Sequence, residues 1–293
     1  MTKRIKGLIS TLATVTALTL LGIGGSRYIK NLSPRKTISE EGVKIYVEGL
    51  SFYNGSDKIV GTVYKPQDTT GRKAAVIWCN DLGSDSRSAD QICRAIATKG
   101  YIAYTFDFRG GSPQSKSTGD PLSMSVATEK KDLETVISRL RKENFVSDGK
   151  IYLGGFGQGA LVASMAAGSK GVKGLILVAP AFNLPDMAEL QYPKNRQIKD
   201  STDFAGTMVV GKSFITEAKN VKPYRGLSKF GGDVLIIHGS DDQTVPLEYS
   251  RRAAEELSSC EHQIIEGAGH SMTGKTGSRA MEMIINYLDS QKK

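Results

Sequence analysis

A mainly parallel β-sheet with helices packed on both faces is the α/β architecture this sequence predicts, on three observations. Short runs rich in β-branched and aromatic residues alternate with helical patterns from residue 43 onward. Two of the runs, Lys150–Gly154 and Gly174–Ala179, are apolar on both faces, as central strands covered by two helical layers must be. Glycine-bearing loops follow several strand ends. At 293 residues with 39% hydrophobic side chains, the chain can bury such a core without metal or disulfide staples.

The elements follow in order. An antiparallel N-terminal hairpin, Val43–Phe52 and Ile59–Tyr64, is expected through Asn54-Gly55, a pair that accepts positive φ at little cost. Ala74–Cys79 reads as a buried strand, and Ser88–Lys99 as a helix stopped by Gly100. Tyr101–Phe106 is the next strand, followed by a glycine-rich loop and a long helix within Leu122–Lys142. Residues 181–231 lose clear periodicity and mix Pro, Asn, Lys and Tyr, which predicts a small cap inserted over one end of the sheet, with a ligand pocket beneath it. Asp233–His238 and Gln263–Ile265 return to strand character, with a helix at Leu247–Leu257 between them and a closing helix near Arg279–Leu288.

Charge separates this domain, residues 37–293, from the segment before it. The formal net charge is +9, but residues 1–36 carry Lys3, Arg4, Lys6, Arg27, Lys30, Arg35 and Lys36 with no acid, leaving +2 on the rest. The domain is nearly neutral and has no basic stripe interleaved with aromatics, so nucleic acid is not an expected partner. Gly7–Ser26 is an uncharged run of 20 residues, long enough as a helix to span about 30 Å. Its basic leader and the Gly22-Ile23-Gly24 end also suit a secretory signal. The expectation is a membrane-anchored protein with an extracytoplasmic domain, secretion being the alternative. Cys79, Cys93 and Cys260 form no CxxC pair, and no two of His238, His262 and His270 stand at ligand spacing, so neither a protein-bound metal nor any other cofactor is expected. The glycines from Gly154 to Gly159 lack the spacing of a dinucleotide fingerprint.

Chemistry concentrates at four strand ends. Leu153–Ala160 is a strand, a tight glycine-rich turn and the start of a helix, the context of a nucleophile elbow that lifts a Ser above a sheet. Its centre is Gly157, which has no hydroxyl and cannot form an acyl intermediate. His238 to Val245 places Asp242 in a loop after a strand, where it can orient a histidine, and Gly267-Ala268-Gly269-His270 offers that imidazole. Cys79-Asn80-Asp81-Leu82-Gly83 ends the first buried strand, where Leu82 would supply one backbone N–H and Gln158 the other to a developing oxyanion.

Residues 59–290 resemble the α/β-hydrolase superfamily. FDFRGGSPQSKS, GFGQGALVASMAAG, LVAPAF and IIHGSDDQTVP look like segments of bacterial cinnamoyl or feruloyl esterases and related serine hydrolases. The resemblance implies Asp242 as acid and His270 as base of a triad, Leu82 and Gln158 as oxyanion donors, and a small-molecule ester or acyl ligand. Two departures matter: Gly157 stands where the family has its nucleophilic Ser, and Asn80-Asp81 replaces the usual His-Gly of the oxyanion loop.

Alternatives stand beside these readings. Asp241 competes with Asp242; His238 reads as a hydrogen-bonded structural residue and His262 as a surface one. Ser84, Ser271 and Cys79 are conceivable substitute nucleophiles, but each lies off the elbow. Two functions follow: a pseudoenzyme of esterase type with weak or no hydrolysis, or an ordinary serine esterase whose nucleophilic Ser has been replaced by Gly157.

Overall fold

The computed structural model describes residues 35–292 apart from residues 69 and 170. Gly7–Ser26, with the anchor or signal expected there, lies outside the described residues. Among the described residues no helix is long and apolar enough to cross a membrane. The strands are β1 (Lys36–Glu40), β2 (Val43–Gly49), β3 (Phe52–Asn54), β4 (Asp57–Ile59), β5 (Gly61–Pro66), β6 (Lys73–Cys79), β7 (Ile102–Phe106), β8 (Val146–Phe156), β9 (Val172–Val178), β10 (Ser201–Phe204), β11 (Met208–Gly211), β12 (Asp233–Gly239) and β13 (Cys260–Ile265). The helices are α1 (Asp90–Thr98), α2 (Val126–Leu140), α3 (Gln158–Met165), α4 (Leu184–Gln191), α5 (Lys212–Ala218), α6 (Leu247–Glu255) and α7 (Lys275–Ser290).

Nine strands form one sheet in the order β1-β2-β5-β7-β6-β8-β9-β12-β13. The β1-β2-β5-β7 side pairs antiparallel, and from β7 through β13 every pairing is parallel. This is the α/β-hydrolase fold the motifs predict. Both faces are dry. Ile92, Cys93 and Ile96 of α1 pack with Ile284 and Leu288 of α7 on one face, while Leu133, Val136 and Ile137 of α2 pack with Leu161 of α3 on the other. Each such fully buried side chain contributes roughly 1.5–3 kcal/mol by leaving water. The helices start and stop for local reasons. Ser125 accepts from the Thr128 N–H while Thr128 reaches back to the Ser125 N–H at the head of α2, and Gly100, at φ 85°, ends the chain's run through α1.

The hairpin forms differently from the expectation. β2 pairs with β5, and Asn54-Gly55 turns a separate two-stranded ribbon, β3–β4, held between them. The reason is burial: Leu50, Phe52 and Ile59 leave the sheet line to pack with Tyr104 and Phe106 of β7. β1 is an addition, lying across the expected boundary at residue 36 and joined to β2 through Glu41 and Gly42, both at positive φ.

Residues 181–231 build α4, a β10–β11 hairpin and α5 around buried Phe204, Met208, Val210, Phe214 and Ile215. The hairpin lies beside the start of the second helical layer. A Cβ on Gly211 would overlap the Leu122 backbone, and one on Gly83 would touch Thr207 at 3.0 Å.

Candidate functional site

The parallel strands all end at one edge of the sheet, so the loops after β6, β8, β12 and β13 converge there although they are far apart in sequence. The turn after β8 sets the geometry. Gly157 sits at φ 55°, ψ −120°, where any side chain brings strain, and it is tied by its N–H to Val178 O at 3.0 Å and by its carbonyl to the Ala181 N–H at 3.0 Å. Gly159 lets α3 start hard against the end of β6, where a Cβ would meet the Cys79 and Asn80 backbone.

The loop after β6 meets this turn. Asn80 is buried and donates from Nδ2 to Phe106 O at 2.9 Å, which turns the next residue toward the elbow. Asp81 Oδ1 accepts the Leu82 N–H at 2.8 Å and the Gln158 N–H at 2.7 Å. The two backbone donors assigned from sequence to a substrate oxyanion are therefore both engaged by a carboxylate of the chain itself. A Cβ placed on Gly157 would lie 2.7 Å from Asp81 Oδ2 and nearer still to Oδ1 and Cγ. The Asp81 carboxylate thus fills the space an elbow side chain would take. Leu82 and Gln158 are where the sequence reading put them, with an occupant it did not foresee.

The other half of the site joins a histidine to a carboxylate. His270 Nδ1 lies 2.7 Å from Asp242 Oδ2. Asp242 Oδ1 accepts the Thr244 and Val245 N–H groups at 2.9 and 2.8 Å, and Oδ2 lies 3.2 Å from His238 Nε2. Two bonds knit the acid loop to the histidine loop: Asp241 N–H to Ala268 O at 2.9 Å, and Gly267 N–H to Ser240 Oγ at 2.8 Å. On its far side His270 Nε2 stands 3.8 Å from Asp81 Oδ2, and its ring packs on Phe156 with centroids 5.1 Å apart. Asp81 is thus the bridge between histidine and elbow.

Electrostatics follow from this geometry. Burial works against charge on Asp242, but bonds from His238, His270 and the Val245 N–H outweigh it and hold the carboxyl well below the usual carboxylate range. Burial likewise works against charge on His270, yet Asp242 and Asp81 on either side push its pKa up to about 9. At neutral pH the imidazole is a cation between two carboxylates.

Behind Gln158 lies a group the sequence reading missed. Gln158 Nε2 donates to Glu129 Oε2 at 2.7 Å, both side chains being buried. Burial pushes Glu129 up to about 8. Its only sequence signal was an acidic residue within the apolar pattern of α2.

The remaining candidates separate cleanly. Asp241 faces solvent and accepts from Ser240. His238 is fully buried and also bonds Val245 O at 2.8 Å. His262 is half-buried: β13 carries it against α6, where it meets Ser250 Oγ at 3.1 Å. Cys79 is buried, and burial raises its thiol well above the ordinary value, while Ser84 and Ser271 lie on the cleft wall. Among the described residues no group of three or more His, Cys, Asp or Glu is placed to hold a metal ion.

Asp81 and His270 open onto a cleft of about 1080 Å³ bounded by α1 and α7, with Trp78, Ile92, Phe156, Val178 and Met272 on its walls. No residue of 181–231 lines it, contrary to the expected pocket under a cap. Those residues use their apolar surface on their own seam and on the α2 side of the sheet.

Residues 70–201 match the family described as serine aminopeptidase, S33, and residues 215–293 match the family described as TAP-like protein. The chain has the α/β-hydrolase fold, and the two family matches lie side by side along it. This hydrolase-fold chain is 27% identical over 171 residues to Protein ABHD12B of Homo sapiens, an alignment covering 56% of the chain and 44% of that relative. The chain therefore spans less than half the length of that curated relative. Among solved structures it is similar to Est1E from Butyrivibrio proteoclasticus with bound ferulic acid, at TM-score 0.70 and 20% identity over 88% of this chain and all of that one. It is also similar to acetyl xylan esterase 1 from Thermoanaerobacterium sp., at TM-score 0.61 and 15% identity over 88% of each chain. A monoacylglycerol lipase from Paleococcus ferrophilus aligns at TM-score 0.60 and 17% identity over 79% of this chain and 98% of its own.

Proposed function

We propose that this chain is a hydrolase-fold protein of carboxylic-ester type in which serine-mediated acyl transfer has been dismantled, leaving a site that binds a small ester- or acyl-like molecule with weak or no hydrolysis. One observation carries the reading: Asp81 occupies both oxyanion donors beside an elbow that bears no side chain. Acyl transfer needs a nucleophilic oxygen and a vacant pair of N–H groups for the tetrahedral intermediate, and both are lacking. Asp242 and His270 stand as the acid and base of a triad would, and the cleft sets apolar side chains such as Phe156 beside polar ones such as Ser84 and Ser88, a mixed lining that suits a small ester.

Hydrolysis of 4-nitrophenyl butyrate is the direct test. The expected rate is near background, with no labelling by a fluorophosphonate probe; turnover of about 1 s⁻¹ or more would overturn the reading.

The alternative, an active serine esterase whose elbow carries Ser in place of Gly157, is favoured by the His270–Asp242 bond, and it makes a stricter demand than a single substitution. A side chain at that position collides with Asp81 unless the carboxylate leaves. Gly157→Ser combined with Asp81→Gly is therefore the variant that restores esterase activity under this alternative. The 20-residue run Gly7–Ser26 supports placing the domain outside the cytoplasm on an uncleaved anchor, with secretion as the alternative. Fractionation followed by N-terminal sequencing of the mature protein decides between them.

A further inference from the structure

At the edge of the sheet opposite Asp81 and His270, where β6, β9 and β12 begin, the chain bounds a second cavity, of about 860 Å³. Two breaks in strand pairing shape it. Between the Lys73–Val146 and Ala75–Ile151 pairs, β8 sets residues 147–150 against Ala74 alone, with Gly149 at φ 71° turning the excursion. Between the Ile151–Val172 and Tyr152–Gly174 pairs, Lys173 is one residue too many on β9. The alternation of faces slips there: Val172 and Leu175, three residues apart, pack on the same side of the sheet. A regular ladder has no place for Lys150 or Lys173, and the breaks set both, exposed, at the cavity wall.

The lining is charged out of proportion to the domain. Arg72, Lys73, Lys150, Lys173 and Lys292 stand against one carboxylate, Asp233, a net +4 where the whole domain of residues 37–293 carries +2. The rest of the domain is therefore net negative, and cations are gathered here. The acids nearby are already engaged. Asp233 accepts from Ser259 Oγ at 2.6 Å and from Gln291 Nε2 at 3.3 Å, Asp148 pairs with Arg141 at 3.2 Å, and Asp289 pairs with Lys292 at 2.6 Å. Lys73 acts at longer range on the exposed Asp68. Among the described residues Arg72, Lys73, Lys150 and Lys173 make no ion pair.

The wall holds one more unanswered group. Tyr152 is 6% exposed, and among the described residues its hydroxyl has no hydrogen-bond partner, whereas Tyr101 beside it donates to Leu288 O at 2.6 Å and Tyr287 donates to Asp233 O at 2.7 Å. Tyr101 and Tyr152 meet edge to face with centroids 6.0 Å apart, and Phe230 adds further apolar surface. Unpaired cations beside a phenol donor suit an anion of more than one charge, and the aromatic wall suits an apolar body. A phosphate monoester, with about two negative charges at neutral pH, has both.

We infer that this cavity binds a small organic phosphate, with Arg72, Lys150, Lys173 and the Tyr152 hydroxyl on its phosphoryl group and Tyr152 and Phe230 against its apolar body. The site lies apart from Asp81 and His270 and stands whether or not ester chemistry survives there.

Isothermal titration of the full chain with phenyl phosphate, in low salt at neutral pH, tests the inference. The expected Kd is about 0.1 mM or tighter, with phenol alone and inorganic phosphate alone each at least about 10-fold weaker. Tyr152→Phe, which keeps the ring, weakens phenyl phosphate by about 5-fold, and Lys150→Glu with Lys173→Glu weakens it by at least about 10²-fold. Wild-type circular dichroism and melting temperature in each variant separate these losses from misfolding, and Tyr152→Phe carries the test if the charge reversal unfolds the chain. A Kd weaker than about 10 mM overturns the inference. Inorganic phosphate binding as tightly as phenyl phosphate, an adventitious ion only, overturns it too, as does an affinity unchanged in the variants. Affinity lost in Asp81→Asn instead places the ligand in the other cleft and has the same consequence.

Discussion

The two halves of the site differ in what holds them. Around Asp242 and His270, side chains and backbone meet as a proton relay requires: two N–H groups and two imidazoles converge on one carboxylate, and the loops carrying them are bonded to each other. Around Gly157 a tight strand-to-helix turn bears no side chain at its centre, and the Asp81 carboxylate rests in the space beside it. The difference teaches that the two positions on the elbow side are coupled. A Cβ on Gly157 overlaps the Asp81 carboxylate where it now rests, so the carboxylate must shift before a side chain can stand there.

The largest expected effect comes from reversing one half. Gly157→Ser alone changes 4-nitrophenyl butyrate hydrolysis by less than about 10-fold, while Gly157→Ser with Asp81→Gly raises it by about 10³-fold or more, because nucleophile and vacant donors return together. Equal rates in the single and double variants would break the comparison.

Asp242→Ala attacks the other half. It strands two backbone N–H groups and leaves the His270 imidazole without its acceptor, at a cost of about 2–4 kcal/mol in urea unfolding, and it removes the cause that most raises the His270 pKa. A midpoint unchanged within error would show that the relay is not structurally braced.

Glu129 sharpens the elbow side through pH. Its folded pKa, about 8, stands above its unfolded value near 4.5, so the folded state binds the proton more tightly and stability falls as pH rises from about 4.5 to 8. Glu129→Gln keeps a partner for Gln158 and should flatten that slope, sparing on the order of 2 kcal/mol at pH 8 relative to pH 5. Urea midpoints across this range measure it. His270, also raised, contributes stability that is present below about pH 6.5 and lost as pH rises through about 9. The two windows overlap above pH 6.5, so the Glu129 contribution is the difference between variant and wild type, in which the His270 slope cancels.

The smallest effect lies outside both halves. His262→Gln loses one bond to Ser250 and costs about 0.5–1 kcal/mol near neutral pH. Burial lowers the His262 pKa, so the wild type loses stability as pH falls through 6.5, and the variant should be the less acid-sensitive of the two.

Much of this molecule was legible in its residues, for reasons that differ by element. The runs that became β6, β9 and β12 read correctly because strands buried on both faces admit little but apolar side chains. Asp242 and His270 were legible because each follows a strand on a short loop, and parallel strands put such loops at one edge. The β2–β5 pairing was obscured by Asn54-Gly55, a strong local turn signal that a tertiary core diverted into a side ribbon. Glu129 and the His238–Asp242 contact were invisible because their geometry is set by packing between elements.

Sequence by itself determined the layer order, the strand-end loops that carry Asp242 and His270, and the side-chain-free centre of the turn at Gly157, since each is a property of residue type at a strand end. Where the Asp81 carboxylate rests was decided only by tertiary structure. Asp81 and Gln158 are 77 residues apart, and no local preference connects them. Parallel pairing of β6 with β8 brings the two loops together, and the absence of a Cβ on Gly157 leaves the one opening into which that carboxylate fits.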